Sequence, residues 1–117
     1  MLFIEYPKCS TCKKAKKYLD DHNISYNDRN IKDNNPTKKE LKEYIKLSNK
    51  SINNFFNTNG LKYKELNLKD KLKSMTDNEK LDLLSSDGML VKRPILVIDE
   101  MALIGFKEKE WNDFFSW

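Results

Sequence analysis

Along the chain the apolar positions change period several times, and each change marks an element. Residues Leu2 to Glu5 form a short apolar run that ends at Tyr6-Pro7, which predicts a buried strand stopping before a loop. From Cys12 the less polar positions fall at Cys12, Ala15, Tyr18 and Leu19, one face of a helix, with Lys13, Lys14, Lys16 and Lys17 mostly off that face. Two cysteines therefore sit where a strand hands over to a helix. Ile24 to Tyr26 predicts the start of a second strand, and Asp33-Asn34-Asn35-Pro36 a loop. Thr37 and Glu40 have capping-box spacing and open a second helix with Leu41, Tyr44 and Ile45 inward.

Residues 51–75 carry weaker signals. Ile52, Phe55 and Phe56 predict a short helix, Asn57-Thr58-Asn59-Gly60 a break, and Tyr63, Leu66, Leu68 and Leu72 further short helical pieces, with no strand. Thr76 and Glu79 form a second capping box, opening a helix with Leu81 and Leu84 inward and Gly88 as its C-terminal cap. Ile95 to Ile98 and Ala102 to Ile104 predict two strands joined tightly through Asp99-Glu100-Met101. Trp111, Phe114 and Phe115 form the inward face of a last helix, a core pattern rather than a base-stacking platform. The resulting order is β-α-β-α, a helical insertion at about 51–88, then β-β-α. With a Cys-x-x-Cys at the first strand-to-helix turn, this is an α/β, thioredoxin-like plan.

Length adds one expectation: 117 residues fit a single domain over 1–117. The longest apolar stretch, Pro94 to Ile98, is far short of the roughly 20 residues that cross a bilayer. Glu5 and Lys8 interrupt the N-terminal apolar run before a signal peptide can form, so the expected location is cytoplasmic, with no membrane association. A net charge of +4 is spread along the chain, and Arg29 and Arg93 are its two arginines. Base-reading proteins rely on arginine's planar fork, so direct nucleic-acid contact is not expected.

Cys9 and Cys12 are the chain's two cysteines, and His22 its single histidine, too few for a four-ligand zinc site from Cys and His. In a reducing compartment this spacing points to redox chemistry. Cys9 precedes the first helical turn, where unpaired N–H groups and the positive end of the macrodipole stabilise a thiolate, and Lys8, Lys13 and Lys14 add positive potential. Cys9 is therefore the expected nucleophile. Cys12, one turn into the helix and more shielded, suits a resolving thiol. The bland alternative is two small buried hydrophobes. His22 falls at the helix end, where a structural role is expected. Arg29 is either a surface residue or the partner of a neighbour such as Asp28, and the sequence leaves that open.

Three segments together carry a resemblance: Tyr6-Pro-Lys-Cys-Ser-Thr-Cys-Lys-Lys-Ala15, Asn57-Thr-Asn-Gly-Leu-Lys-Tyr-Lys-Glu-Leu66, and Lys92-Arg-Pro-Ile95 followed by Gly105-Phe106. In order and spacing they resemble the arsenate-reductase-like Spx/MgsR family over nearly the whole chain. The resemblance implies that Pro94 is cis and faces the cysteines. It also implies that Arg93 stands beside Cys9, where it stabilises the thiolate and binds an oxyanion or carboxylate.

The resemblance admits three functions, because that family holds reductases and regulators alike. One is a thiol–disulfide oxidoreductase, monomeric and without a bound cofactor, acting on a thiol or disulfide substrate with glutathione or another low-molecular-weight thiol as co-substrate. Another is arsenate reduction, for which glutaredoxin-coupled members use three arginines. Here Asn57 stands where the second would be and Gly105-Phe106 where the third would be, which disfavours that reading. The last is a redox-switched regulator that binds RNA polymerase. Spx regulators have a longer C-terminal region than a chain ending at Trp117, which favours an enzyme-like or unassigned member over a regulator.

Overall fold

Alternation along short strands sends neighbouring residues to opposite faces of one sheet, and here both faces are covered. The computed structural model describes residues 1–116. Its strands β1 (Leu2–Glu5), β2 (Asn27–Asn30), β3 (Ile95–Ile98) and β4 (Met101–Ile104) lie in the order β2-β1-β3-β4. β1 runs parallel to β2 and antiparallel to β3, which pairs antiparallel with β4. Six α-helices accompany them among the described residues: α1 (Ser10–Asp21), α2 (Lys38–Ser48), α3 (Leu61–Glu65), α4 (Leu68–Lys71), α5 (Asp77–Ser86) and α6 (Glu108–Phe115). The predicted α/β plan with a helical insertion is the observed one.

Phe3, Leu96 and Leu103 are cross-strand neighbours on one face, where Ala15, Tyr18 and Leu19 of α1 and Trp111 of α6 pack on them. Ile4, Ile95 and Ile104 make the matching row on the other face, under Leu41 and Tyr44 of α2, Leu81 and Leu84 of α5, and Phe55 and Phe56. Trp111 is fully buried, so truncating it to Ala would cost about 3–5 kcal/mol. Among the described residues no helix is long and apolar enough to cross a membrane.

Local signals hold well. Both capping boxes form, at Thr37–Glu40 and Thr76–Glu79. Residues 51–75 form a 3-10 turn at Ile52–Phe55, α3, α4 and a second 3-10 turn at Leu72–Ser74, with no named strand. A single antiparallel bridge joins Phe56 to Val91. His22 caps the C-terminus of α1, with Nδ1 2.8 Å from the Tyr18 carbonyl oxygen.

Two expectations are corrected. The second strand does not begin within Ile24–Tyr26 but covers Asn27–Asn30. Ile24 and Tyr26 instead pack into the Phe3 core just before it, with the Phe3 and Tyr26 rings 5.3 Å apart. The side chains of β2 stay exposed or half-buried, unlike those of the opposite edge strand β4, so they show none of the apolar alternation of a covered strand. Gly88 does not cap α5: the helix ends at Ser86 and its cap is Asp87, which is extended and whose carboxylate accepts from the Met89 N–H at 2.8 Å. Gly88 is needed for close approach, since a Cβ there would collide with the Ile31 carbonyl oxygen.

Arg29 is neither a free surface residue nor the partner of Asp28. Its guanidinium grips Glu40 with two bonds, at 2.7 and 3.0 Å, while Nε donates to the Asn34 carbonyl at 2.9 Å. This fork ties β2 to the start of α2 and holds the Glu40 carboxyl down at about 2. Asp28 pairs with Lys16 at 2.7 Å instead.

Candidate functional site

The Tyr6–Lys8 loop leads from β1 into α1 and delivers Cys9 to the N-cap. Cys9 has extended backbone (φ −86°, ψ 123°), its N–H donates to the Tyr6 carbonyl at 3.0 Å, and its own carbonyl accepts from Lys13 at 3.0 Å. A Ser, Thr, Asp or Asn oxygen usually accepts from the first turn here. In this chain the Cys9 Sγ takes that place, accepting from the Cys12 N–H at 3.4 Å. Both thiols are free, with Cys9 half-buried and Cys12 fully buried.

The same turn drives the two thiols apart in acidity. Burial pushes the Cys9 thiol up, but the Cys12 backbone and side-chain hydrogen bonds and the Arg93 charge outweigh it, and the net shift is downward. Burial pushes Cys12 up to about 12, opposed by a backbone hydrogen bond at Tyr6 and reinforced by the neighbouring Cys9. The expected source of positive potential was Lys8, Lys13 and Lys14; these three are exposed, and the cation among the leading influences on Cys9 is Arg93.

Arg93 lies just before β3, where the Arg93–Pro94 peptide bond is cis and Pro94 is buried. The cis bond implied by the resemblance is present. The guanidinium lies over the Tyr6 ring, 5.3 Å from its centroid, so the loop before the cysteines also shelves the arginine. Arg93 Nε and Nη1 are buried without a hydrogen-bond partner. Its charge lowers the Cys9 pKa, yet these two donors stay unmet, an arrangement suited to a ligand oxygen.

Around them opens a cleft of about 420 Å³ lined by Cys9, Asn57, Arg93, Gly105, Phe106 and Lys107, among others. Asn57 and Gly105-Phe106, aligned by resemblance with two missing arginines, do face it. Arg29, held by Glu40, does not line it. The Asn57 loop is tied down by its N–H to the Leu90 carbonyl and by Lys92 N–H to the Phe55 carbonyl, both 2.8 Å. Gly105 has φ 73°, with the Lys92 side chain packed where its Cβ would be, at 2.9 Å. Lys92 and Lys107 also line the cleft. Sequence reasoning missed both, although Lys92 adjoins the Arg93-Pro94 pair.

A further titratable group escaped notice in the sequence. Glu5, the last residue of β1, is 3% exposed, and its carboxyl is pushed up to about 7 by burial first, then by Asp28. An acid at the end of an apolar run was the available signal. Among the described residues no group of three or more His, Cys, Asp or Glu could hold a metal ion.

Comparison with known proteins places this geometry. The ArsC family pattern matches residues 4–114. The chain is 47% identical over 113 residues to the uncharacterized protein YusI of Bacillus subtilis, covering 97% of this chain and 96% of YusI. It is 36% identical over 110 residues to the regulatory protein MgsR of the same organism, covering 94% and 86%. A crystal structure of an ArsC family related protein from Bacteroides fragilis superposes with a TM-score of 0.93 at 52% identity, covering 96% of this chain and 94% of that one. Matches that run through the cysteine turn, the Arg93–Pro94 corner and both faces of the sheet establish that the chain belongs to the ArsC family.

Proposed function

We propose that the protein is a small thiol–disulfide redox protein in which Cys9 attacks and Cys12 resolves. The observation that carries this reading is the Cys9 Sγ at the α1 N-terminus, accepting the Cys12 N–H beside Arg93, with Cys9 acidified and Cys12 held neutral. Thiolate Cys9 displaces one sulfur of a disulfide, forming a mixed disulfide and releasing the other sulfur as a thiolate that takes up a proton. Cys12 then loses its proton and displaces the bound sulfur, so the substrate gains two electrons and the protein keeps a Cys9–Cys12 disulfide. Two equivalents of a low-molecular-weight thiol such as glutathione restore the dithiol, in a reducing compartment such as the cytoplasm. Arg93 takes a carboxylate or oxyanion of the incoming group, and Pro94 sets the corner that aims it.

A second reading, a redox-switched regulator acting through a protein such as RNA polymerase, is favoured by the match to MgsR across most of both chains. Arsenate reduction is disfavoured, because the cleft offers one guanidinium, with Asn57 and Gly105-Phe106 in the other two places. One experiment separates them. Cys12→Ser freezes mixed disulfides on Cys9 for identification by mass spectrometry, while the wild-type protein is assayed on a small disulfide and on arsenate with glutathione and glutaredoxin. Disulfide turnover with negligible arsenate turnover is expected. Comparable arsenate turnover, or redox-dependent retention of RNA polymerase with no turnover of either substrate, would overturn the first reading.

A further inference from the structure

Beside the cysteine cleft lies a second cavity, of about 380 Å³, and the two share Asn57, Gly60 and Arg93 as a common wall. Leu61 and Met89 line this cavity too, along with Glu65 and a Lys62–Asp87 pair 3.9 Å apart. Leu61 is 78% exposed, against 37% for Met1 and 42% for Met101, the other large apolar side chains left open among the described residues. A lone exposed leucine is ordinary. This one sits on a held turn: Gly60 N–H donates to the Asn57 carbonyl at 3.1 Å, Asn57 is tied to Leu90, and a Cβ on Gly60 would lie 2.7 Å from Asn57 Nδ2.

Resting on the redox reading of Cys9, we infer that the disulfide partner is a polypeptide with a carboxylate beside its reactive cysteine, whose chain passes Arg93 and Asn57 into the second cavity and seats an apolar side chain on Leu61. The two unmet Arg93 donors, with Lys92 and Lys107 in the same cleft, call for a carboxylate. The Asn57 side-chain amide stands in the shared wall and offers both a donor and an acceptor, the complement of a peptide unit. Glutathione brings carboxylates to Arg93 but has no apolar side chain for Leu61. Cys9 bonds to one sulfur of the polypeptide disulfide, the other leaves as a thiolate and is protonated by solvent, and Cys12 displaces the first, so two electrons pass to the polypeptide.

The test measures the rate of Cys9 mixed-disulfide formation by mass spectrometry in the Cys12→Ser protein. Its probes are oxidised glutathione and a series of peptide disulfides with Glu beside the cysteine and Leu, or matched Gly, at each of the next few positions. The best Leu peptide should outpace its Gly partner by at least about fivefold, the size expected from partly burying one leucine. Leu61→Ser should erase that preference and Leu61→Met should restore it. Equal rates for Leu and Gly peptides, a preference that survives Leu61→Ser, or glutathione matching the best peptide would overturn the inference while leaving the redox reading intact. Failure of all the disulfides to modify Cys9 would overturn both.

Discussion

The Cys12 backbone N–H points at the Cys9 Sγ from 3.4 Å, so the helix that buries one thiol stabilises the anion of the other. A single turn thereby makes two chemically unequal cysteines. The sulfur at the N-cap meets donors and the Arg93 charge; the sulfur three residues later meets the core.

Alkylation should report that inequality directly. The rate of Cys9 modification by iodoacetamide should follow a titration below the ordinary cysteine range, while Cys12, pushed up to about 12, should react far more slowly at every pH below that. Peptide mapping after brief labelling checks the order. Cys12 labelling first would reverse the roles assigned here.

Arg93→Lys keeps the charge but removes the planar fork and the flat contact with Tyr6. The fold should survive, by circular dichroism, while the Cys9 pKa rises and exchange with a small disulfide slows several-fold. An unchanged pKa and rate would show that a point charge suffices at this position.

The Glu5 carboxyl predicts an unusual pH dependence. Its folded value of about 7 lies above 4.5, so its contribution to stability is complete below about 4.5 and lost as pH rises through 7. Glu5→Gln keeps a polar group facing Asp28 without the charge. The variant should match the wild type in denaturant unfolding at pH 4 and exceed it at pH 8, by up to about 2–3 kcal/mol. A variant no more stable at pH 8 would mean that the buried carboxylate is well compensated, with Lys16 the cation that favours its charged form.

Gly88→Ala tests the close approach of the segment after α5 to β2's far end. With the Ile31 carbonyl in the way, backbone must move, and a loss of about 2–3 kcal/mol is expected from thermal or denaturant unfolding. A neutral effect would show that the 86–90 segment shifts freely.

Much of this protein was legible in its sequence because the signals are local. Apolar runs at Leu2–Glu5 and Ile95–Ile98, two capping boxes, and a cysteine just before an amphipathic helix depend on hydrogen bonds and periodicity within a few residues. They place β1, β3, the longer helices and the two cysteines before any long-range contact is known. Tertiary structure decided what needs distant partners. β2 lies at Asn27–Asn30 because β1 offers it backbone pairing, and backbone hydrogen bonds alone select no apolar pattern where the side chains stay largely exposed. Arg29 finds Glu40 and Glu5 finds Asp28 only after β2 docks. The cleft itself joins Cys9, Asn57, Arg93 and Gly105, drawn from segments far apart in the chain, through β1–β3–β4 pairing and the Phe56–Val91 bridge. Local patterning set Cys9 at the N-cap of α1, whereas sheet register determined which charge it meets.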